Sequence, residues 1–381
     1  MSAKESKIFS KVSLWSTRSG KKIIKQVLLR EKGYIQYRKY RTQSEREFTE
    51  FTKRFLLSLH EKLISDPNPK STMKNFIDEI ESNELALDDS KIDSVRERLS
   101  KPDILADRVQ RILNSNFVKM TFPVFSALID SASDFYKEPM SKEVRTSIVD
   151  GHVIAIDLSE PMDRIIDTDE DIEFLDDYKL MNPYILEIAR KKISAGGDSV
   201  LKAFEDGFKD ARIGQYIDAR LKLKPESISD ENMIGCYKKY RAVMGTAGRN
   251  MAFNMAPLND IFHLGMAKAA ECVGCGNEME DAIVNGGIKI PSWPLYYSIV
   301  TNNVEKAFEL TLCKSEIYLD EARIALDMLP EEVSIKPFLK FLFLTVSHYN
   351  QYWFNILKRR DLFPYFQKNL SISIKNSKRD Q

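Results

Sequence analysis

The sequence predicts a mainly α-helical protein with two helical lobes, a small N-terminal β-meander and one internal β-hairpin. Over most of the chain, apolar residues recur at intervals of three and four, which places them on one helix face. Two short regions instead combine β-branched or aromatic runs with glycine turns. The 381 residues, of which 43% are hydrophobic and 30% charged, suffice to bury a core in one large domain or two lobes. This composition excludes a chain that is disordered throughout.

The N-terminal meander is predicted within residues 11–41, where three short apolar runs are separated by glycines. Ser44 and Glu47 follow with the spacing of a capping box, which predicts a helix that begins at Ser44. Residues 1–64 are therefore predicted to form a basic β-meander plus a capped helix. Five apolar residues recur at helical spacing after the cap: Phe48, Phe51, Phe55, Leu59 and Leu63.

A second region, residues 65–156, is predicted to be an N-terminal helical lobe that ends in a β-hairpin. Pro67 and Pro69, near the start of this region, are predicted to stop the preceding helix. Asp150-Gly151 lies near its end, between two runs of β-branched residues. An Asp-Gly pair in that position is a strong signal for a two-residue hairpin turn.

The rest of the chain divides into three predicted regions. Residues 157–182 are predicted to be an acidic connecting segment between the lobes. Residues 183–370 are predicted to form a C-terminal helical lobe that glycines and prolines punctuate. Residues 371–381 have few apolar side chains to pack and are predicted to be a mobile basic tail.

The charges are segregated along the chain, although the formal net charge is only +1. Residues 1–60 contain fifteen Lys or Arg and five Asp or Glu, a balance of +10. Residues 157–178 contain ten acids and one Arg, a balance of −9. Residues 356–381 contain seven bases and two acids, a balance of +5. Basic ends and an acidic middle suggest a polyanion partner or pairing between copies of the chain, and uneven solvated faces are the alternative.

Basic and aromatic residues are interleaved near the end of the predicted meander, from Tyr34 to Arg41. Aromatic rings can stack on bases while Arg and Lys neutralise phosphates, a combination that suits single-stranded nucleic acid. The alternative is an edge strand protected by charge. The candidate nucleic-acid contacts in this region are Lys21, Lys22, Lys25, Arg38, Lys39 and Arg41.

A second basic group lies in a helix that is predicted to begin near Ser229 and to break at Gly245. A basic helix end beside a glycine turn offers both charge and free amide groups to phosphate. The Gly-Lys-Ser/Thr ending of a phosphate-binding loop is absent, and a solvated helix face is the alternative. The candidate contacts in this group are Lys238, Lys239, Arg241 and Arg249.

No catalytic residue, metal site or cofactor is predicted. Cys272 and Cys275 form a CxxC motif, but the second pair of ligands that a zinc site needs is missing, which favours buried cysteines. Acidic pairs such as Asp88-Asp89 lack the DDxxD spacing with which helical prenyl-transfer enzymes hold magnesium. The four histidines are scattered, and no nucleophile motif accompanies them.

These observations favour a non-catalytic protein of nucleocapsid or coat type that binds and packages RNA or another single-stranded nucleic acid and self-assembles. This layout is similar to that of helical viral nucleoproteins, although no motif of that family is found in the sequence. Two other classes stay open: a helical scaffold or adaptor that binds acidic partners, and a helical enzyme with an unseen site. No targeting segment or membrane span is predicted, so the expected location is the cytoplasm, or the virion for a viral protein.

Overall fold

The structure, a computed structural model, describes residues 32–113, 116–136, 140–166 and 174–377. Within these ranges it consists of fourteen α-helices and four short 3-10 helices, and it contains no β-strand. The predicted mainly α-helical class is therefore confirmed. The α-helices are α1 Lys32–Ser65, α2 Pro69–Ile80, α3 Asp89–Leu99, α4 Pro102–Leu113, α5 Asn116–Tyr136, α6 Lys142–Ile166, α7 Leu175–Ile193, α8 Asp198–Leu223, α9 Asp230–Met251, α10 Asn259–Val284, α11 Trp293–Thr301, α12 Val304–Asp327, α13 Lys336–Arg359 and α14 Phe363–Ser377.

Short polar side chains fix several of the helix starts. At the start of α2, α3, α11 and α12, a backbone N–H donates to the side-chain oxygen of the residue before the helix. These capping residues are Asn68, Asp88, Ser292 and Asn303. Each cap satisfies an amide that has no partner inside its helix, which stabilises the helix by about 1 kcal/mol.

The described chain divides into two compact units. The N-terminal unit comprises residues 36–206 and 250–259. The C-terminal unit comprises residues 32–35, 207–249 and 260–377. None of these boundaries lies in the predicted acidic connecting segment, and the division between the units falls inside helices instead.

The centre of the N-terminal unit is α6, which packs against α4, α5 and α7. Helix α1 contributes the apolar face that its sequence predicted. Phe51, Phe55, Leu59 and Leu63 are each at most 1% exposed, and the ring of Phe51 lies 5.6 Å from that of Phe122 in α5. The predicted helical spacing of this segment is confirmed: these four side chains are buried, and Phe48, the first of the five, is half-buried.

The predicted β-meander is wrong where the structure describes it, and its first part, residues 11–31, lies outside the described residues. Residues 32–41 form the first turns of α1. Gly33 and Tyr37 are buried four positions apart, so this stretch continues the helical spacing of the Phe51 face. Gly33 serves close packing instead of a turn: a Cβ there would lie 2.1 Å from the backbone oxygen of Pro337.

The predicted helix start at Ser44 is also wrong. Ser44 lies inside α1, about three turns after its first residue, and is 5% exposed. The apparent capping box is therefore part of a continuous helix, and Ser44 is a small side chain on the buried face of that helix.

The predicted hairpin at Asp150-Gly151 is wrong because both residues lie inside α6. The Asp150 side chain is 1% exposed and accepts hydrogen bonds from Arg54 at 3.0 Å and from Lys192 at 3.3 Å. A Cβ on Gly151 would lie 3.0 Å from the backbone oxygen of Ala189 in α7. The Asp-Gly pair thus supplies a buried ion pair and a close approach between helices.

In the C-terminal unit, α12 packs against α11, α13 and α14. One buried apolar cluster joins α10, α12, α13 and α14, and its members include Met279, Phe308, Trp353 and Phe366. The first part of the predicted mobile tail is instead helical, because α14 continues to Ser377. Residues 378–381 lie outside the described residues.

The close contact between α8 and α9 yields a stability prediction. A Cβ on Gly214 of α8 would lie 2.7 Å from the backbone nitrogen of Lys239 and 3.1 Å from the backbone oxygen of Cys236, both in α9. We expect Gly214→Ala to destabilise the protein by about 1–3 kcal/mol, because backbone cannot move aside as a flexible side chain can. The higher helix propensity of alanine, worth up to about 1 kcal/mol relative to glycine, offsets only part of the cost of this clash.

Urea unfolding followed by circular dichroism measures this loss. Gly287→Ala is the matched control, because a Cβ at Gly287 has no heavy atom within 4 Å. Equal unfolding midpoints for Gly214→Ala and Gly287→Ala would contradict the close backbone packing.

Candidate nucleic-acid interface

The structure places half of the N-terminal candidate contacts on one helix. Arg38, Lys39 and Arg41 lie in the first three turns of α1, and all three are exposed. The candidates Lys21, Lys22 and Lys25 lie outside the described residues. The described part of the predicted N-terminal interface therefore lies on the exposed side of α1.

Two further bases extend this surface along α1. Lys39, Arg46 and Lys53 are all exposed and are seven residues apart. Seven residues turn a helix through about 700° and advance it by about 10.5 Å, so the three side chains form one row. We call Lys39, Arg46 and Lys53 the basic row. Arg38 lies about 100° from the row around the helix.

Acidic neighbours reduce the charge of this surface only in part. Arg41 pairs with Glu45 at 3.3 Å and Lys53 with Glu50 at 2.9 Å, and both pairs are more than half exposed. Exposed pairs three or four residues apart on a helix contribute about 0.5 kcal/mol or less. A phosphate can therefore displace these carboxylates at small cost.

The predicted stacking of aromatic rings on bases is not favoured by the placement of the tyrosines. Tyr37 is 6% exposed, and the ring of Tyr34 packs 5.9 Å from that of Phe341. Tyr40 is half-buried, and its pKa is raised by burial and by its hydrogen bond to Asp130. The α1 surface therefore offers charge more than stacking area.

The second candidate group lies on α9, in the C-terminal unit. The predicted helix start near Ser229 is confirmed, because the Ser229 hydroxyl accepts a hydrogen bond from the Asn232 N–H at 3.2 Å. The predicted break at Gly245 is wrong, because α9 continues through it. Gly245 instead allows α10 to pack closely against α9, since a Cβ there would lie 3.0 Å from the ring of His263.

Two of the candidate bases on α9 form ion pairs with acidic residues of the protein itself. Arg241 pairs with the buried Glu271 at 2.8 Å, and Arg249 pairs with Asp260 at 3.4 Å. Lys238 is exposed. Since an unbroken helix also offers no free amides at this point, α9 is a weaker phosphate surface than the sequence predicts.

Lys239 belongs to a buried ionisable cluster. Its ammonium group pairs with Asp218 and donates to the side-chain oxygen of Gln215 at 3.1 Å. Asp218 is 4% exposed, and its Oδ1 atom has no hydrogen-bond partner among the described residues. Both side chains line a cleft of about 270 Å³, counted with the solvent at its mouth. Its enclosed volume is only about 10 Å³, roughly the space of one water molecule and far below the size of ordinary ligand pockets.

Glu278 lies in the same cleft and is 5% exposed. Its Oε2 atom accepts a hydrogen bond from the backbone N–H of Trp293 at 3.0 Å. Burial raises the pKa of Glu278 to about 8, although hydrogen bonds from Tyr237 and the Trp293 amide lower it in part. Glu278 is therefore mostly protonated at neutral pH, and Tyr240 and Lys289 line the cleft beside it. The sequence gives no signal for this cluster, because its members come from separate helices and a loop.

The two cysteines of the CxxC motif are buried in α10, as the sequence predicted. The Tyr237 hydroxyl lies 3.6 Å from Sγ of Cys275, and Asn350 donates to Sγ of Cys272 at 3.3 Å. Burial raises the pKa of Cys272 to about 12, and it raises that of Cys275 as well. Such thiols stay protonated and unreactive.

No protein-family model and no curated protein matches this chain. In the described ranges, no group of three or more His, Cys, Asp or Glu side chains is arranged to hold a metal ion. Among the same residues, no helix combines the length and the apolar character needed to cross a lipid bilayer.

Proposed function

We propose that this protein binds single-stranded nucleic acid, in the first place RNA, through the phosphate backbone and packages it by self-association. The observation that carries the proposal is the basic row of Lys39, Arg46 and Lys53, which lies on the exposed side of α1. It continues an N-terminal stretch in which residues 1–31 contain eight bases and two acids, a balance of +6. Clustered exposed bases bind phosphates and release counterions, which supplies affinity without base recognition.

The proposal assigns the α1 surface and the N-terminal stretch to phosphate, and it gives α9 a minor part. On α1, Arg38 and Arg41 flank the row and Lys21, Lys22 and Lys25 precede it in sequence. On α9, the acids that pair with Arg241 and Arg249 would have to be displaced before either base could meet a phosphate. Recognition is therefore expected to depend on charge and to show little base preference.

Equilibrium binding of a fluorescently labelled single-stranded RNA of about 30 nucleotides tests the proposal. We expect the triple variant Lys39→Gln/Arg46→Gln/Lys53→Gln to bind at least about tenfold more weakly than the wild type near 0.1 M salt. All three side chains are exposed, so the variant is expected to stay folded.

The matched control removes three exposed lysines of the same unit, as Lys70→Gln/Lys74→Gln/Lys101→Gln. This control carries the same change in net charge, so equal weakening in the two variants would contradict a specific role for α1. Competition against the labelled RNA distinguishes an acidic protein partner from a nucleic acid, when poly-glutamate and unlabelled RNA are added at equal concentrations of negative charge. Stronger competition by poly-glutamate than by RNA would overturn the proposal in favour of an adaptor function.

Self-association is tested by sedimentation after nuclease treatment and after addition of RNA. A packaging protein is expected to form larger particles with RNA and smaller ones after nuclease or at 1 M salt. Particles of one small size under all these conditions would contradict the packaging part of the proposal.

A further inference from the structure

Helix α12 carries an exposed apolar stripe. The stripe consists of Ile317 and Ile324 in α12 and of Met328, the C-cap residue directly after it, which are 56%, 64% and 62% exposed. Spacings of seven and four residues place the three side chains within about 40° on one face and along about 16 Å of the helix. Large apolar side chains that are exposed in one row mark an interaction surface, whereas isolated ones do not.

Acidic residues surround the stripe. Residues 304–332 contain eight acids and three bases, a balance of −5. Three of these acids pair with lysines outside the stretch, which still leaves two negative charges. The three pairs are Glu321 with Lys268, Asp327 with Lys340, and Glu331 with Lys336. An occupant of this surface should therefore be basic as well as apolar.

The N-terminal stretch of the chain has this chemistry. Residues 1–31 carry a balance of +6, and their bases are interleaved with large apolar residues. Among the apolar residues are Ile8, Phe9, Val12, Leu14 and Trp15. A segment of this composition can cover an apolar row while its lysines meet the acids beside it.

The stretch also joins α1 at a point close to the C-terminal end of the apolar stripe. Gly33 packs against the backbone of Pro337 at the start of α13, and Lys336 donates to the backbone oxygen of Leu329 at 2.8 Å. Leu329 directly follows Met328, the last residue of the stripe. The 31 residues before α1 can extend over about 100 Å, far more than the length of the stripe.

We propose that residues 1–31 dock on the apolar stripe of α12 in the same chain. Apolar residues of the segment cover Ile317, Ile324 and Met328, and its lysines face the acids of α12. This docking describes the protein without nucleic acid, because a lysine that faces α12 has to leave its acid before it can meet a phosphate. It is therefore tested on the full-length protein in the absence of nucleic acid.

Acrylamide quenching of tryptophan fluorescence tests the docking. The chain has three tryptophans, of which Trp293 and Trp353 are 0% and 1% exposed, so quenching reports mainly on Trp15. In the variant Ile317→Glu/Ile324→Glu, we expect the quenching constant of Trp15 to rise at least about twofold, because a charged stripe no longer covers an apolar side chain. The variant Trp15→Phe gives the baseline of the two buried tryptophans.

Leu223→Glu is the matched control, since Leu223 is 83% exposed in the same unit and lies outside the stripe. It is expected to leave the quenching constant unchanged. Equal quenching in the wild type and the double variant would overturn the proposal. Protection of Trp15 that rises with protein concentration would also overturn it, because the occupant would then be the segment of another copy.

Discussion

Asp177→Asn is expected to destabilise the N-terminal unit by about 3–5 kcal/mol. Asp177 is fully buried in the first turn of α7. It accepts hydrogen bonds from Nε of Arg98 at 2.9 Å and from Nε of Arg108 at 2.7 Å. The Arg108 side chain is 9% exposed, and its guanidinium carbon lies 3.3 Å from the ring centroid of Phe174. An asparagine removes the buried negative charge and leaves the Arg108 guanidinium with the half-exposed carboxylate of Asp107 as its remaining ion-pair partner.

The adjacent residue supplies a matched control. Asp176 pairs with Lys91 at 3.1 Å, and both side chains are at least one-third exposed. Asp176→Asn is therefore expected to cost less than about 1 kcal/mol. Urea unfolding of both variants by circular dichroism measures the difference. Similar midpoints for Asp176→Asn and Asp177→Asn would show that the Asp177 cluster does not stabilise the unit.

Glu278→Gln is expected to stabilise the protein above neutral pH and to have little effect at pH 4. The folded-state pKa of Glu278 is raised to about 8 from an ordinary value of 4.5, with burial as the main cause. The folded state therefore binds more protons than the unfolded state between these values, and Glu278 lowers stability as the pH rises from about 4.5 to 8. The full difference is on the order of 5 kcal/mol.

The neutral amide of glutamine removes this pH dependence and can still accept a hydrogen bond from the Trp293 amide. Thermal or urea unfolding of the variant and the wild type between pH 4 and pH 9 measures the effect. Glu305→Gln, at an exposed position on α12, is the control. A constant difference in stability between Glu278→Gln and the wild type over this range would contradict a protonated Glu278 in the folded protein.

The helical class was predictable because helix periodicity is a local property of the sequence. Phe51, Phe55 and Leu59 are buried as their spacing predicts. The two β elements were predicted wrongly because their local signals are ambiguous. Asp150-Gly151 has the sequence of a hairpin turn, but Asp150 pairs with Arg54, which is 96 residues away. A contact of that sequence separation overrides local turn preference and cannot be read from neighbouring residues.

The candidate interface was predictable to a similar degree. The sequence predicts the cluster of bases at Arg38, Lys39 and Arg41 but assigns it to a strand, and the structure shows these bases exposed on helix α1. The neutralisation of Arg241 by Glu271 does not follow from it, because those residues lie 30 positions apart on different helices. The Glu278 cluster was not predicted either, since its raised pKa depends on burial by neighbours that only the fold brings together.

The salt dependence of RNA binding tests the central proposal most directly. For single strands, the slope of log K against log salt concentration is about −0.7 for each phosphate that a base neutralises. We therefore predict that the slope of Lys39→Gln/Arg46→Gln/Lys53→Gln is smaller in magnitude than that of the wild type by about 2. The control Lys70→Gln/Lys74→Gln/Lys101→Gln should keep the wild-type slope. Equal slopes for all three proteins would contradict phosphate binding by the basic row of α1.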